Sequence, residues 1–245
     1  MTEIEIAIAF DVPTLDQALA LDERLGQGPE YAKVGLELFA AAGPDALRAL
    51  KARGRRVFLD LKLHDIPNTV RGAARSAARL GADLLTVHAT GGYAMIAAAV
   101  EGAGEAGSGT RVVAVTILTS LSASTMPPGF QSPFHLPMVA LKLLELAESA
   151  GAHGIVCAAP DLFAIRAMHP QPFFAVTPGI RPKGGATQDQ ARVTTIAEAV
   201  RLGSGMLVLG RAITGASDPA RALAAARAER DQALAVPATQ GGPSA

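Results

Sequence analysis

Arg56-Val57-Phe58-Leu59-Asp60-Leu61-Lys62-Leu63-His64-Asp65-Ile66-Pro67-Asn68-Thr69 opens as an apolar run and ends in opposed charges and a proline. Val57, Phe58 and Leu59 put apolar side chains on both faces, as a strand covered on both sides requires. Asp60 closes that run, and Lys62 follows two residues later, so on a continuing strand the two side chains share one face. Pro67 stops the strand, and Asn68 or Thr69 can cap a helix beginning near Val70. The stretch reads as a buried strand that delivers charge to its C-terminal end and then gives way to a helix.

Outward from this unit the same order repeats. Strand patterns occupy residues 4–10, 31–35, 56–61, 84–88, 112–118, 154–157, 173–177 and 206–210. Alanine- and leucine-rich helical patterns follow at 15–25, 45–53, 69–80, 93–105, 137–150, 161–168, 188–202 and 219–233. Gly54, Gly81, Gly107, Gly151 and Gly203 each stand just after a helical run, where a left-handed residue ends a helix. Eight strand-then-helix units predict an α/β protein with a parallel sheet and right-handed crossovers. At 245 residues, 49% of them hydrophobic, they favour one closed (β/α)8 barrel over an open doubly wound sheet. The barrel is expected to span residues 1–236, with 237–245 a small, polar, disordered tail.

Composition removes several function classes. Lys+Arg and Asp+Glu balance at 22 each, so no global field draws the chain to nucleic acid or to a membrane surface. No apolar run approaches the roughly 18 residues of a membrane span. Met1-Thr2-Glu3-Ile4-Glu5-Ile6 is acidic where an export signal needs a basic patch, so a cytoplasmic location is expected. The single cysteine, Cys157, lies in an apolar run and reads as a reduced core thiol. No Gly-x-Gly-x-x-Gly follows the first strand and there is no Walker sequence, so a nucleotide cofactor is not indicated. His64 and His88 lack the spacing of a metal site and are assigned structural or supporting roles.

In a barrel of this kind the reacting groups sit at the C-terminal ends of the strands. Asp11 ends the first strand, Lys33 lies in the second, and Asp60 and Lys62 end the third. An ion-pair network closing the barrel mouth is the competing interpretation, but alternating charges at successive strand ends are a costly way to stabilise a fold. Asp65 sits in the following loop without an obvious backbone donor, which favours a functional role. After the seventh strand, 177–190 is long, glycine-rich and basic, the composition of a lid. Gly210-Arg211 follows the eighth strand, and the loops after strands seven and eight are the usual phosphate site of such barrels.

The segment from Asp60 to Thr69 resembles the Asp-x-Lys-x-x-Asp signature of the orotidine 5′-phosphate decarboxylase family. Phe10-Asp11, Lys33-Val34-Gly35, Leu118-Thr119-Ser120, Pro178-Gly179-Ile180-Arg181-Pro182 and Gly210-Arg211 extend the resemblance over nearly the whole chain. It implies cofactor-independent conversion of orotidine 5′-monophosphate to uridine 5′-monophosphate and carbon dioxide in pyrimidine biosynthesis, with no metal. It further implies a charged array of Lys33, Asp60, Lys62 and Asp65, with Lys62 the proton donor and Asp65 reaching in from the partner subunit of a homodimer. Asp11 and Lys33 would hold the ribose, Thr119 and Ser120 the pyrimidine, and Arg181, Gln190, Gly210 and Arg211 the phosphate. Pro178 would join the substrate contacts, and Ile66 and Thr69 would cross the dimer interface with Asp65. Two alternatives carry the same fold: a Mg²⁺-dependent sugar-phosphate lyase, and a non-catalytic nucleotide sensor.

Overall fold

The computed structural model describes residues 4–121, 125, 136–169, 171–181 and 194–236. Eight parallel strands close on themselves in chain order: Glu5–Ala9, Tyr31–Val34, Arg56–Leu63, Leu84–His88, Arg111–Val115, Gly154–Val156, Phe174–Thr177 and Met206–Leu209. The eighth pairs back to the first, Glu5 opposite Met206 and Ile8 opposite Leu209. This is the (β/α)8 barrel expected from the repeated units. The expected tail at 237–245 lies outside the described residues, as does most of the proline-rich connection after the fifth strand.

Strand alternation divides the apolar residues into two cores. Ala7, Tyr31, Phe58, Leu84, Val113, Val156, Val176 and Met206 face inward and fill the barrel. Their neighbours Ile6, Ile8, Ala32, Val57, Leu59 and Leu85 face outward and pack under the helices. Filling the interior with bulky side chains makes it a solid core rather than a pore. At the N-terminal end the core is sealed by charge: Arg111 reaches Glu5 at 3.1 Å and the Tyr31 hydroxyl at 2.7 Å, and Arg56 pairs with Glu5 at 2.8 Å. This network is separate from the charged residues that end the first three strands at the mouth.

Several boundaries move from their expected places. The helix after the third strand is Pro67–Arg79, with Ile66 as its N-cap and no side-chain cap. Neither Asn68 nor Thr69 caps it, because Pro67 supplies the first helical position itself, where its missing N–H is harmless. The fifth strand stops at Val115 rather than 118. An additional helix, Leu36–Ala42, directly follows the second strand. Ile180–Arg181 pairs in parallel with Thr194–Thr195.

Candidate active site

Continuing the inward alternation past the barrel core gives the site residue by residue. After Ala7 come Ala9 and Asp11; after Tyr31 comes Lys33; after Phe58 comes Asp60. Val115, Ile117 and Thr119 continue the fifth strand's inward face, Val176 and Pro178 the seventh, and Val208 and Gly210 the eighth. All of these except Ala7 and Tyr31, which lie deeper in the barrel core, line one cavity of about 300 Å³, together with Lys62, Val156, Cys157, Arg181 and Arg211. That volume suits a small molecule. A larger hollow of about 680 Å³, lined by Ile4, His153, Arg166 and Phe173 among others, opens at the N-terminal end, away from where barrels of this kind place their reacting groups.

Across the floor of the cavity the charges alternate. Lys33 Nζ lies 2.9 Å from Asp11 Oδ1 and 3.5 Å from Asp60 Oδ2, and Lys62 Nζ lies 2.8 Å from Asp60 Oδ1. Lys33 and Asp60 are buried, while Lys62 is partly open to the cavity. Burial works to raise the Asp60 carboxyl, but Lys33, Lys62 and hydrogen bonds from Lys62 and Thr86 outweigh it. The carboxyl is held below the ordinary carboxylate range and stays ionised.

Asp60 and Lys62 meet by a less regular route than strict alternation. Leu59 pairs with Leu85 and Leu63 with Val87, so three residues of the third strand oppose Thr86 alone. This bulge puts Lys62 at φ 50°, the only left-handed non-glycine among the described residues. The Lys62 N–H donates to Thr86 Oγ1 at 2.8 Å, and the Thr86 hydroxyl donates to Asp60 Oδ1 at 3.0 Å. Thr86 was not among the expected site residues. Its signal was the inward position after Leu84, a polar residue in the apolar run ahead of His88.

The remaining expected residues divide into three groups. Thr119, Pro178, Arg181, Gly210 and Arg211 line the same cavity as the charges, whereas Ser120 is exposed and does not. Asp65, Ile66 and Thr69 are exposed and lie off the cavity of their own chain. Asp65 also has the backbone donor that its loop seemed to lack, since Oδ1 accepts from the Ile66 N–H at 2.6 Å. Gln190 and the rest of 182–193 lie outside the described residues. His64 and His88 are neighbours, ring centroids 5.4 Å apart. Burial first, then His64 and Lys62, lower the His88 pKa against the opposing pull of Asp60. Among the described residues no group of three His, Cys, Asp or Glu could hold a metal, and no helix is long and apolar enough to cross a membrane.

The family model described as orotidine 5′-phosphate decarboxylase / HUMPS matches residues 5–226. An orotidine 5′-phosphate decarboxylase of Anaeromyxobacter sp. (strain K) is 53% identical over 225 residues, which cover 91% of this chain and 95% of that protein. The enzyme of the same name from Cutibacterium acnes is 47% identical over 222 residues, covering 90% and 93%. Among solved structures, an orotidine 5′-phosphate decarboxylase from Lactobacillus acidophilus superposes with a TM-score of 0.80 at 34% identity, covering 94% of this chain and all of that one.

Proposed function

The chain belongs to the orotidine 5′-phosphate decarboxylase / HUMPS family, and on that premise we propose that it decarboxylates orotidine 5′-monophosphate to uridine 5′-monophosphate. The observation that carries this reading is the alternating row Asp11–Lys33–Asp60–Lys62 in a small cavity that Arg181 and Arg211 also line.

The chemistry asks for such a row. When the C6–carboxylate bond breaks, carbon dioxide leaves and the electron pair stays on C6, in an orbital the ring carbonyls cannot reach by resonance. A fixed ammonium beside C6 stabilises that pair as it forms and then supplies the proton that completes the product. Lys62 fills this role, held at 2.8 Å by Asp60. Asp60, ionised, stands against the departing carboxylate and favours its loss as neutral carbon dioxide. Lys33 and Asp11 receive the ribose hydroxyls, and Thr119 and Pro178 border the base. Arg181, Gln190, Gly210 and Arg211 take the phosphate, with Gly210 at the start of the short helix Arg211–Thr214. Binding energy at this remote phosphate can be used to assemble the array around C6.

The reading also makes the enzyme a cytoplasmic homodimer in which the partner subunit's Asp65 completes the row. Leu36, Ile66, Tyr93 and Met138 support this: each is exposed, 43% to 67%, and each lies at or beside the start of a helix that follows a strand. They therefore gather at the barrel end that carries the cavity. Asp65, Ile66 and Thr69, unused by their own chain's cavity, stand on that same end. Formation of uridine 5′-monophosphate, followed by absorbance in excess EDTA, tests the activity. Turnover that requires added Mg²⁺, or tight nucleotide binding with no product, would replace it with one of the two alternatives.

A further inference from the structure

We propose that Thr86 is a positioning residue for the charged row, its hydroxyl fixing the third-strand bulge that aims the Lys62 ammonium into the cavity. The catalytic consequence rests on the decarboxylation reading; the structural relay does not.

The direction of the relay follows from proton inventory. An ionised carboxylate only accepts, so the single Thr86 hydroxyl proton goes to Asp60 Oδ1 at 3.0 Å, leaving a lone pair for the Lys62 N–H at 2.8 Å. The bulge creates the need. With three residues opposing one, the Lys62 N–H takes a side-chain acceptor on the fourth strand, and the hydroxyl of Thr86 stands where a backbone carbonyl would serve a regular strand. Lys62 also holds a left-handed backbone, φ 50°, that an L-residue adopts at a cost unless its surroundings impose it. Thr86 is fully buried, so removing its oxygen strands a donor with no water to replace it. One hydroxyl thus ties the backbone of the proton donor to the carboxylate that holds its ammonium.

The discriminating comparison is Thr86→Val, which keeps the shape and removes the hydroxyl, against Thr86→Ser, which keeps the hydroxyl. Both variants keep the other titratable groups that face Asp60: Lys33 from the second strand with Asp11 beyond it, Lys62 on its own strand, and His88 from the fourth. In Thr86→Val, kcat for orotidine 5′-monophosphate should fall about 10- to 100-fold with KM within about threefold of wild type, the signature of a misaimed transition-state contact. Thr86→Ser should recover most of it. Independently of activity, ¹³C NMR titration of the Asp60 carboxyl should show a raised midpoint in Thr86→Val and an unchanged one in Thr86→Ser. Should Thr86→Val fail to fold, Thr86→Ala removes the same oxygen with less bulk. Wild-type kcat in the hydroxyl-free variant, or a loss confined to KM, overturns the positioning role, and an unmoved Asp60 midpoint overturns the relay. A wild-type protein that forms no uridine 5′-monophosphate instead sinks the decarboxylase reading, while the titration still decides the relay.

Discussion

Individual residues at the barrel mouth were legible to very different degrees. Asp11, Lys33 and Asp60 could be placed because each extends the inward alternation of an apolar strand by one more step, and a charge there has nowhere else to point. Thr86 obeys the same alternation but escaped, since threonine in a strand is also an ordinary β-former and announces no charge. The Asp65–Ile66 hydrogen bond escaped too, because it depends on how the loop turns into Pro67. His88 yields a prediction at this scale. Its pKa is lowered from 6.5, so the unfolded chain binds a proton more readily than the folded one. Its contribution to stability is complete above the unfolded value and is lost as pH falls through the folded value. Denaturation midpoints should decline as pH drops below about 6.5, and His88→Asn should reduce that slope, leaving the part due to His153, which burial and Arg111 also lower. An unchanged slope would show that His88 takes up its proton equally in both states.

Elements were read well where period and length agreed, and poorly where backbone geometry depends on a partner. All eight strands appear where apolar runs placed them, with shifted ends such as that of the fifth, because apolar faces must meet a core on one side and helices on the other. Leu36–Ala42 was missed: its seven residues follow the second strand with no loop, and an apolar run that short carries no clear period. The bulge at Lys62 was equally hidden, since it is set by the register of the fourth strand rather than by any residue in the third. Packing between helices gives a test. A Cβ on Gly102, in Gly92–Gly104, would stand 2.2 Å from the Arg71 carbonyl oxygen of Pro67–Arg79. Because the obstruction is backbone, Gly102→Ala should force the helices apart and cost about 1–3 kcal/mol. Chemical denaturation reads this directly, and wild-type stability would mean that the two helices are not held so close.

The whole molecule explains why some residues looked out of place within one chain. Asp65, Ile66 and Thr69 stand exposed at the mouth yet off their own cavity, an arrangement that makes sense when a second copy docks there. A shared site predicts complementation between two inactive variants. Mixed Asp65→Ala and Lys62→Ala subunits should regain about a quarter of the wild-type activity after random exchange, since half the dimers then carry one intact site of two. Heterodimers that form but stay inactive would confine the site to one subunit.

The proposal that a carbon–carboxylate bond breaks beside the Lys62 ammonium rests on the closed barrel and on the alternating charges, Arg181 and Arg211 that share its cavity. The most direct test compares purified wild type with Lys62→Ala in excess EDTA, measuring uridine 5′-monophosphate and carbon dioxide released from orotidine 5′-monophosphate. Equimolar products from wild type, with turnover at least about 10⁴-fold lower in a folded Lys62→Ala that still binds uridine 5′-monophosphate, is the predicted result. Wild type that forms no product, or Lys62→Ala that keeps most of its turnover, would contradict it.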